Sequence, residues 1–362
     1  MNAVFSFFQK PSVRKYANYL IIGAMLVIFG LLSLAGVVGM SGQLLLEQIA
    51  IAVLLSVSLG MVVGFLGELS LGHAGFMCIG AYMGGKISSV MVPAMGGSEN
   101  NVIVLLVALL VGGLLAALFG FIIGLPALRL RGDYLAIVTL AFGEIVRTVF
   151  MNLPQTSFGG ATGLSTPRFD MKYLFIIGLL MVLACLAVTQ NLMRSKHGRA
   201  IIAVKDNEIA ARAMGIDVTK YKLFVFTISS FFAGIAGVLY SYSQYRVQST
   251  SFDYNYSIEI LVMVVLGGMG SINGSIIAAA LITFLNVKLQ TLLTGDLAVL
   301  QNLLYALILI LIVIYKNAPA LKHFREKYNF NTFAAWCKRK LGGKKAEVTE
   351  QNAEKEVAQD GQ

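Results

Sequence analysis

The stretch GRAIIAVKDNEIAARAMGID, residues 198–217, holds six charged side chains in twenty positions. The apolar run before it, 173–193, has none, and the run after it, 222–244, has only Lys222 at its edge. Runs of about 20 apolar residues are what a helix needs to cross a bilayer. A short charged helix between two of them reads as a loop held at the membrane face, and the same alternation recurs along the chain.

The 362 residues are 57% hydrophobic and 13% charged, against about 25% charged in ordinary soluble domains. The chain is therefore expected to be an integral membrane protein. Lysine and arginine exceed aspartate and glutamate by 28 − 18 = 10, an excess assigned to cytoplasmic loops rather than to nucleic-acid binding. Cys78, Cys185 and Cys337 are odd in number and lack metal-ligand spacing, so no disulfide framework or metal site is expected. Met1–Lys15 precedes an apolar run, Tyr19–Met40, too long for a signal-peptide core. It is taken as an uncleaved first span.

Apolar segments fall near 19–40, 44–65, 70–92, 102–125, 134–151, 173–193, 222–244, 258–269, 275–292 and 298–315. Basic residues gather at 10–15, 129–131, 194–205, 212–222 and 316–345, which places these in the cytoplasm. Loops 93–101, 152–172 and 245–257 hold two Arg and one Lys and go outside. Parity then requires 258–292 to cross an even number of times, dividing at GGMGSINGS (267–275) into a helical hairpin. The expected fold is all-α, a polytopic bundle of about 8–10 transmembrane helices, some short or broken, with both termini cytoplasmic. Residues 1–18 are expected to form the cytoplasmic N-terminus, 19–316 the membrane domain with its cytoplasmic loop 194–222, and 317–362 a cytoplasmic, disordered tail.

Two glycine-rich turns, GFLGELSLGHAGFMCIGAYMGG (64–85) and LGGMGSINGSIIAAAL (266–281), share a break, a Ser and a small-residue run. Spacings such as Gly60/Gly64, Gly80/Gly84 and Gly120/Gly124 permit close helix packing. Paired interruptions also point to a pathway built from repeats, because irregular backbone at membrane depth is tolerated where it lines a cavity. On that reading Ser70, Gly72, His73, Gly75, Gly267, Gly270 and Gly274 border the translocation path. Both readings are open.

A carboxylate in a bilayer costs about 2.5–3.5 kcal/mol on insertion scales, so Glu68, Glu144 and Glu259 need partners or water. Glu144 and Arg147 stand at i,i+3 and can neutralise each other; a structural pair and a role in the path are the alternatives. Asp133 is a plausible N-cap, and Glu259 reads as wetted near the outer end of its segment. His73 has no His, Cys or carboxylate neighbours in sequence that would make a metal or catalytic cluster, and a polar contact in a turn is expected. No Gly-x-Ser-x-Gly, His-Glu-x-x-His or phosphate-loop motif is present. The chain is expected to be no enzyme, to hydrolyse no ATP with a motif of its own, and to bind no cofactor.

Within the charged stretch, Asp206 is a candidate cap for a helix starting near Asn207, and Glu208 suits its first turn. Gly215 followed by Ile216 suits its C-terminus. Ala210, Ala211, Ala213 and Met214 give a small-residue face. A surface helix that orders a loop and a docking helix for a soluble partner fit equally well on these grounds.

EIAARAMG, residues 208–215, resembles the Glu-Ala-Ala…Gly cytoplasmic loop of ATP-binding cassette (ABC) importer permeases, where it docks on the ATPase subunit. LSLGHAGFMCIGAY (69–82), RGDYLAIVTLAFGEIVR (131–147), GRAIIAVKDNEIAARAMGI (198–216), FFAGIAGVLY (231–240) and LVMVVLGGMGSINGS (261–275) resemble segments of high-affinity branched-chain amino acid permeases of the LivM type. The resemblance covers roughly residues 40–315. It implies a permease subunit in a bacterial cytoplasmic (inner) membrane. The implied partners are a second permease subunit, two cytoplasmic ATP-binding subunits that hold ATP and magnesium, and an extracytoplasmic substrate-binding protein. Asp206, Glu208, Ala210, Ala211 and Gly215 would then form the ATPase-coupling element, and leucine, isoleucine or valine the cargo. Relatives that carry urea, amides or other amino acids leave the cargo less fixed than the family. An ion-coupled secondary transporter, the reading from another class, needs intramembrane titratable groups, for which Glu144 is the candidate.

Overall fold

The computed structural model describes residues 39–95, 100–130, 132–167, 169–292, 303–307, 310 and 314. Contacts divide the chain into a unit ending at Leu292 and a second from Leu293. Of the second, residues 303–307, 310 and 314 are helical; the expected spans 19–40 and 298–315 otherwise lie outside the described residues.

The first unit is almost entirely helical. Helix α1, Met40–Gly60, continues as a π-helix, Met61–Leu66. It is followed by α2 (His73–Ala94), α3 (Val102–Ala127), α4 (Asp133–Asn152), the single turn α5 (Gln155–Phe158) and α6 (Met171–Arg194). Two short helices come next, α7 (Lys196–Asp206) and α8 (Glu208–Ala213), and then α9 (Val218–Gln244), α10 (Tyr254–Gly267) and α11 (Ile272–Leu292). Among the described residues seven helices are long and apolar enough to cross a membrane: α1 with its π extension, α2, α3, α4, α6, α9 and α11. Each falls on an expected segment. Helix α10 has 14 residues, about 21 Å at 1.5 Å per residue, against a hydrocarbon core of about 30 Å. It forms the expected hairpin with α11, bridged far from the turn where Asn286 Nδ2 donates to Glu259 Oε1 at 3.3 Å.

Side-chain caps start several spans. Asn101 accepts from Ile103 N, Asp170 from Lys172 N and Asp217 from Lys220 N, satisfying amides that have no partner inside the helix. One expected cap is corrected. Gly132, with φ +60°, occupies the N-cap of α4, and Asp133 is the first helical residue, where its charge faces the positive end of the helix.

Helix α9 runs between α2 and α3, and glycine lets it do so. A Cβ on Gly80 would lie 2.1 Å from Gly234 O, one on Gly237 2.0 Å from Met77 O, and one on Gly120 2.3 Å from Ser230 Oγ. In a bilayer such close backbone contact replaces the hydrophobic drive available in water. Outward, Leu106, Leu110, Leu114 and Leu118 of α3 are exposed in one stripe, as a lipid-facing helix requires.

The loops sort into two ends. At one, β1 (Leu164–Ser165) pairs antiparallel with β2 (Arg246–Val247), and Asp170 N donates to Asn100 Oδ1 at 2.8 Å. At the other, Gly124 near the end of α3 abuts Leu223 at the start of α9, and α7 lies against the π-helix. Among the described residues the basic segment 194–222 thus lies at the end opposite the neutral loops, while the basic clusters 10–15 and 316–345 lie outside them.

Candidate functional site

Two helix breaks and the α7–α8 loop converge at the basic end. The first break, Gly67–Gly72, opens with Gly67 at φ +79° and separates the π-helix from α2. Leu71 N donates to Thr139 Oγ1 at 3.0 Å, and Ala74 N to Ser257 Oγ at 3.1 Å. These neighbours from α4 and α10 satisfy backbone groups that the break leaves without helical partners. A Cβ on Gly72 would lie 2.4 Å from Thr139 O, and one on Gly75 2.7 Å from Gly143 Cα. Gly75 itself lies in the first turn of α2.

His73 is the first residue of α2 rather than part of a turn. Its Nε2 lies 2.8 Å from Ser58 Oγ, whose proton goes to Leu55 O at 2.9 Å. The Ser58 hydroxyl thus bridges Leu55 O and the His73 ring. Ser229 Oγ donates to Ser58 O at 2.7 Å, which ties α9 to the same point. Ser70 is buried, and its hydroxyl has no partner among the described residues.

The second break, Gly268–Ser271, has Gly268 at φ +99° and Gly270 at φ +84°. Gly267 and Gly274 sit in the flanking helices and press on each other, a Cβ on Gly274 meeting Gly267 O at 1.9 Å. This break touches the π-helix that precedes the first: a Cβ on Gly64 would lie 2.6 Å from Gly270 N.

The loop is bolted to the first break. Lys205 Nζ donates to Gly64 O at 2.7 Å, a carbonyl in the last turn of the π-helix. Lys222, only 4% exposed at the base of α9, pairs with Glu68 in the break and with Glu208 of α8 at 3.3 Å. Glu208 also pairs with Arg212 at 2.8 Å. Glu68, expected to need a partner, thus has one 154 residues away.

Helix α8 begins one residue later than expected. Asp206 ends α7, and Asn207 caps α8 by accepting from Ala210 N at 3.0 Å. The expected C-terminus is present: Gly215 has φ +82°, its N–H bonds Arg212 O, and Ile216 N bonds Ala211 O. That is a Schellman ending. Of the expected small-residue face, Ala210, Ala213 and Met214 are exposed, Met214 to 83%, but Ala211 is buried against its own chain, and Ile209, 75% exposed, joins the outward side.

Glu144 pairs with Arg147 at 2.8 Å, both half-exposed on the side of α4, so it stands apart from the convergence although Gly143 beside it packs on α2. Sequence reasoning passed over Glu47, a carboxylate inside the expected 44–65 span. It is fully buried beside Ala50 and Gly178, without a hydrogen-bond partner among the described residues. It also passed over Lys222 as an individual, because a lysine at the edge of a basic cluster carries no mark of a buried pair.

Comparison with known proteins agrees with this architecture. Residues 43–314 match the model of the family described as branched-chain amino acid transport system / permease component. The chain is 39% identical to the high-affinity branched-chain amino acid transport system permease protein LivM of Escherichia coli K12, over 64% of this chain and 60% of that protein. It thus spans about three-fifths of that relative's length. It is 27% identical to the probable branched-chain amino acid transport permease protein LivM of Methanocaldococcus jannaschii, over 65% of this chain and 76% of that one. Identity to the ribose import permease protein RbsC of E. coli K12 is 26%, over 63% and 73% respectively. No solved structure matches the chain.

Proposed function

Because this chain belongs to the branched-chain amino acid transport system permease family, we propose that it is a membrane-spanning subunit of an ABC importer. It carries leucine, isoleucine or valine across a bacterial inner membrane. It pairs with a second permease subunit and receives solute from an extracytoplasmic binding protein. Two cytoplasmic ATP-binding subunits, which hold the ATP and magnesium, drive it; this chain binds neither.

The observation that carries the reading is the buried Lys222 link between α8 and the first break. Removing one partner of a buried ion pair costs about 3–5 kcal/mol, so Glu208 and Glu68 move together rather than part. Helix α8 offers a partner the exposed apolar pair Ile209 and Met214, with Ala210 between them on the outer side. A push there reaches Glu68 through Lys222, and Gly64 through Lys205. The break then shifts against α4 and α10, which alternates the side on which the path opens. Gly215 sets the angle at which the chain leaves α8, and Asp206 closes α7 ahead of it.

The test is co-purification of the ATP-binding subunits with Ile209→Glu/Met214→Glu. Both positions face outward, so the variant should insert at normal levels. Recovery of those subunits should fall by about tenfold or more, the effect of losing at least about 1.4 kcal/mol. Recovery at the original level would remove the coupling role. A second reading, a neutral sugar as cargo, rests on the 26% identity to a ribose import permease; competition of leucine uptake by ribose separates the two.

A further inference from the structure

We infer that the cavity enclosed by α1, α9, α10 and α11 binds a small solute that carries an ammonium group beside an apolar side chain, with Glu259 facing the ammonium. This rests on the amino-acid importer reading and adds the atoms that hold the cargo. The cavity has a volume of about 290 Å³, just below the range of about 300–1,000 Å³ for drug-sized ligands.

Its chemistry is divided. Glu259 and Asn286 line it, joined by the 3.3 Å hydrogen bond already described. Thr283, one turn away on α11, also lines it. Thr283 is 9% exposed, and its hydroxyl has no partner among the described residues. A buried hydroxyl without a partner is costly, and a polar atom of a bound solute supplies the missing one. Ile51, Met263 and Val287 furnish apolar lining. A carboxylate in a low-dielectric cleft concentrates cations and repels anions. A free amino acid presents an ammonium to Glu259 and an aliphatic group to the apolar wall. A sugar hydroxyl can donate to the carboxylate but brings no positive charge to balance it.

The test uses the assembled transporter in membrane vesicles, with Cys78, Cys185 and Cys337 replaced by alanine and Thr283→Cys introduced. Cationic aminoethyl methanethiosulfonate should label this cysteine about tenfold faster than the anionic sulfonatoethyl reagent. Glu259→Gln should abolish the preference. L-Leucine should slow labelling; 4-methylpentanoate, the same skeleton without its ammonium, and ribose should not. Where Thr283→Cys does not insert, Gln290→Cys on the same cavity wall reads the same quantities. Equal rates for the two reagents, a preference that survives Glu259→Gln, or protection by 4-methylpentanoate or ribose equal to that by leucine would each overturn the assignment. So would a lack of protection by leucine. Recovery of the ATP-binding subunits decides the importer reading separately, so loss of this site would leave that reading standing.

Discussion

The two breaks share a glycine-rich composition and are held in opposite ways. Inside Gly67–Gly72, Leu71 N bonds Thr139 of α4 and Glu68 pairs with Lys222 of α9, while on either side Lys205 of α7 bonds Gly64 and Ser257 of α10 bonds Ala74. Gly268–Ser271 is flanked by Gly267 and Gly274 of its own hairpin, which press on each other, and its Gly270 meets Gly64 of the π-helix. A force on the loop therefore arrives first at residues 64–68 and reaches the hairpin through the Gly64–Gly270 contact and through α2, whose Ala74 N bonds Ser257 of α10. Gly72 serves tertiary packing in the first break, whereas Gly268 and Gly270 serve backbone conformation in the second.

That contrast can be broken by substitution. Gly72→Val should have the largest effect on stability, because its Cβ would meet a backbone carbonyl of α4 at 2.4 Å. The cost should lie at the upper end of about 1–3 kcal/mol, read as a lower melting temperature and lost monodisperse protein in detergent. Gly270→Ala meets nothing closer than Gly64 O at 3.5 Å but keeps φ +84°. It should cost about 1–2 kcal/mol of backbone strain, leave the protein extractable and slow uptake. Equal losses from the two would erase the distinction between packing and conformation.

Away from both breaks the effects should shrink. Gly215→Ala has open space and φ +82°, so it should cost about 1 kcal/mol and lower recovery of the ATP-binding subunits less than Ile209→Glu/Met214→Glu does. Glu144→Gln removes a half-exposed pair worth about 0–1 kcal/mol, and uptake should stay within about twofold of the original. Abolished uptake, with a pH dependence that disappears in the variant, would instead support ion coupling through Glu144.

The spans were legible because a bilayer demands long apolar runs, and the loop ends because basic residues mark one side. Both breaks were legible because glycine and serine cluster there. What stayed hidden depends on distance in sequence. Lys222 and Glu68 are 154 residues apart, and nothing local distinguishes them from other loop charges. Glu47 looks like the polar start of a span until α6 is seen to bring Gly178 against it. Glu259 and Asn286 meet only because the hairpin closes. At the loop, Asp206 and Asn207 are both good caps; α7 extends through Asp206, with Asn207 N still bonded to Ala203 O at 3.1 Å, and the cap passes to Asn207. Ala211 was assigned to the outward face because the small-residue pattern does not reveal which side of a six-residue helix rests on its own chain.

The most direct test of force transfer through Lys222 is the ratio of solute transported to ATP hydrolysed, measured in the same proteoliposomes for the assembled transporter and for Lys222→Gln. The ATP-binding subunits should remain bound, because Ile209 and Met214 are untouched, and hydrolysis should continue. The transport ratio should fall by about tenfold or more, as loss of a buried ion-pair partner implies. Glu68→Gln, which breaks the link from its other end, should reproduce the loss. A ratio unchanged in both variants, with hydrolysis and assembly intact, would contradict the account.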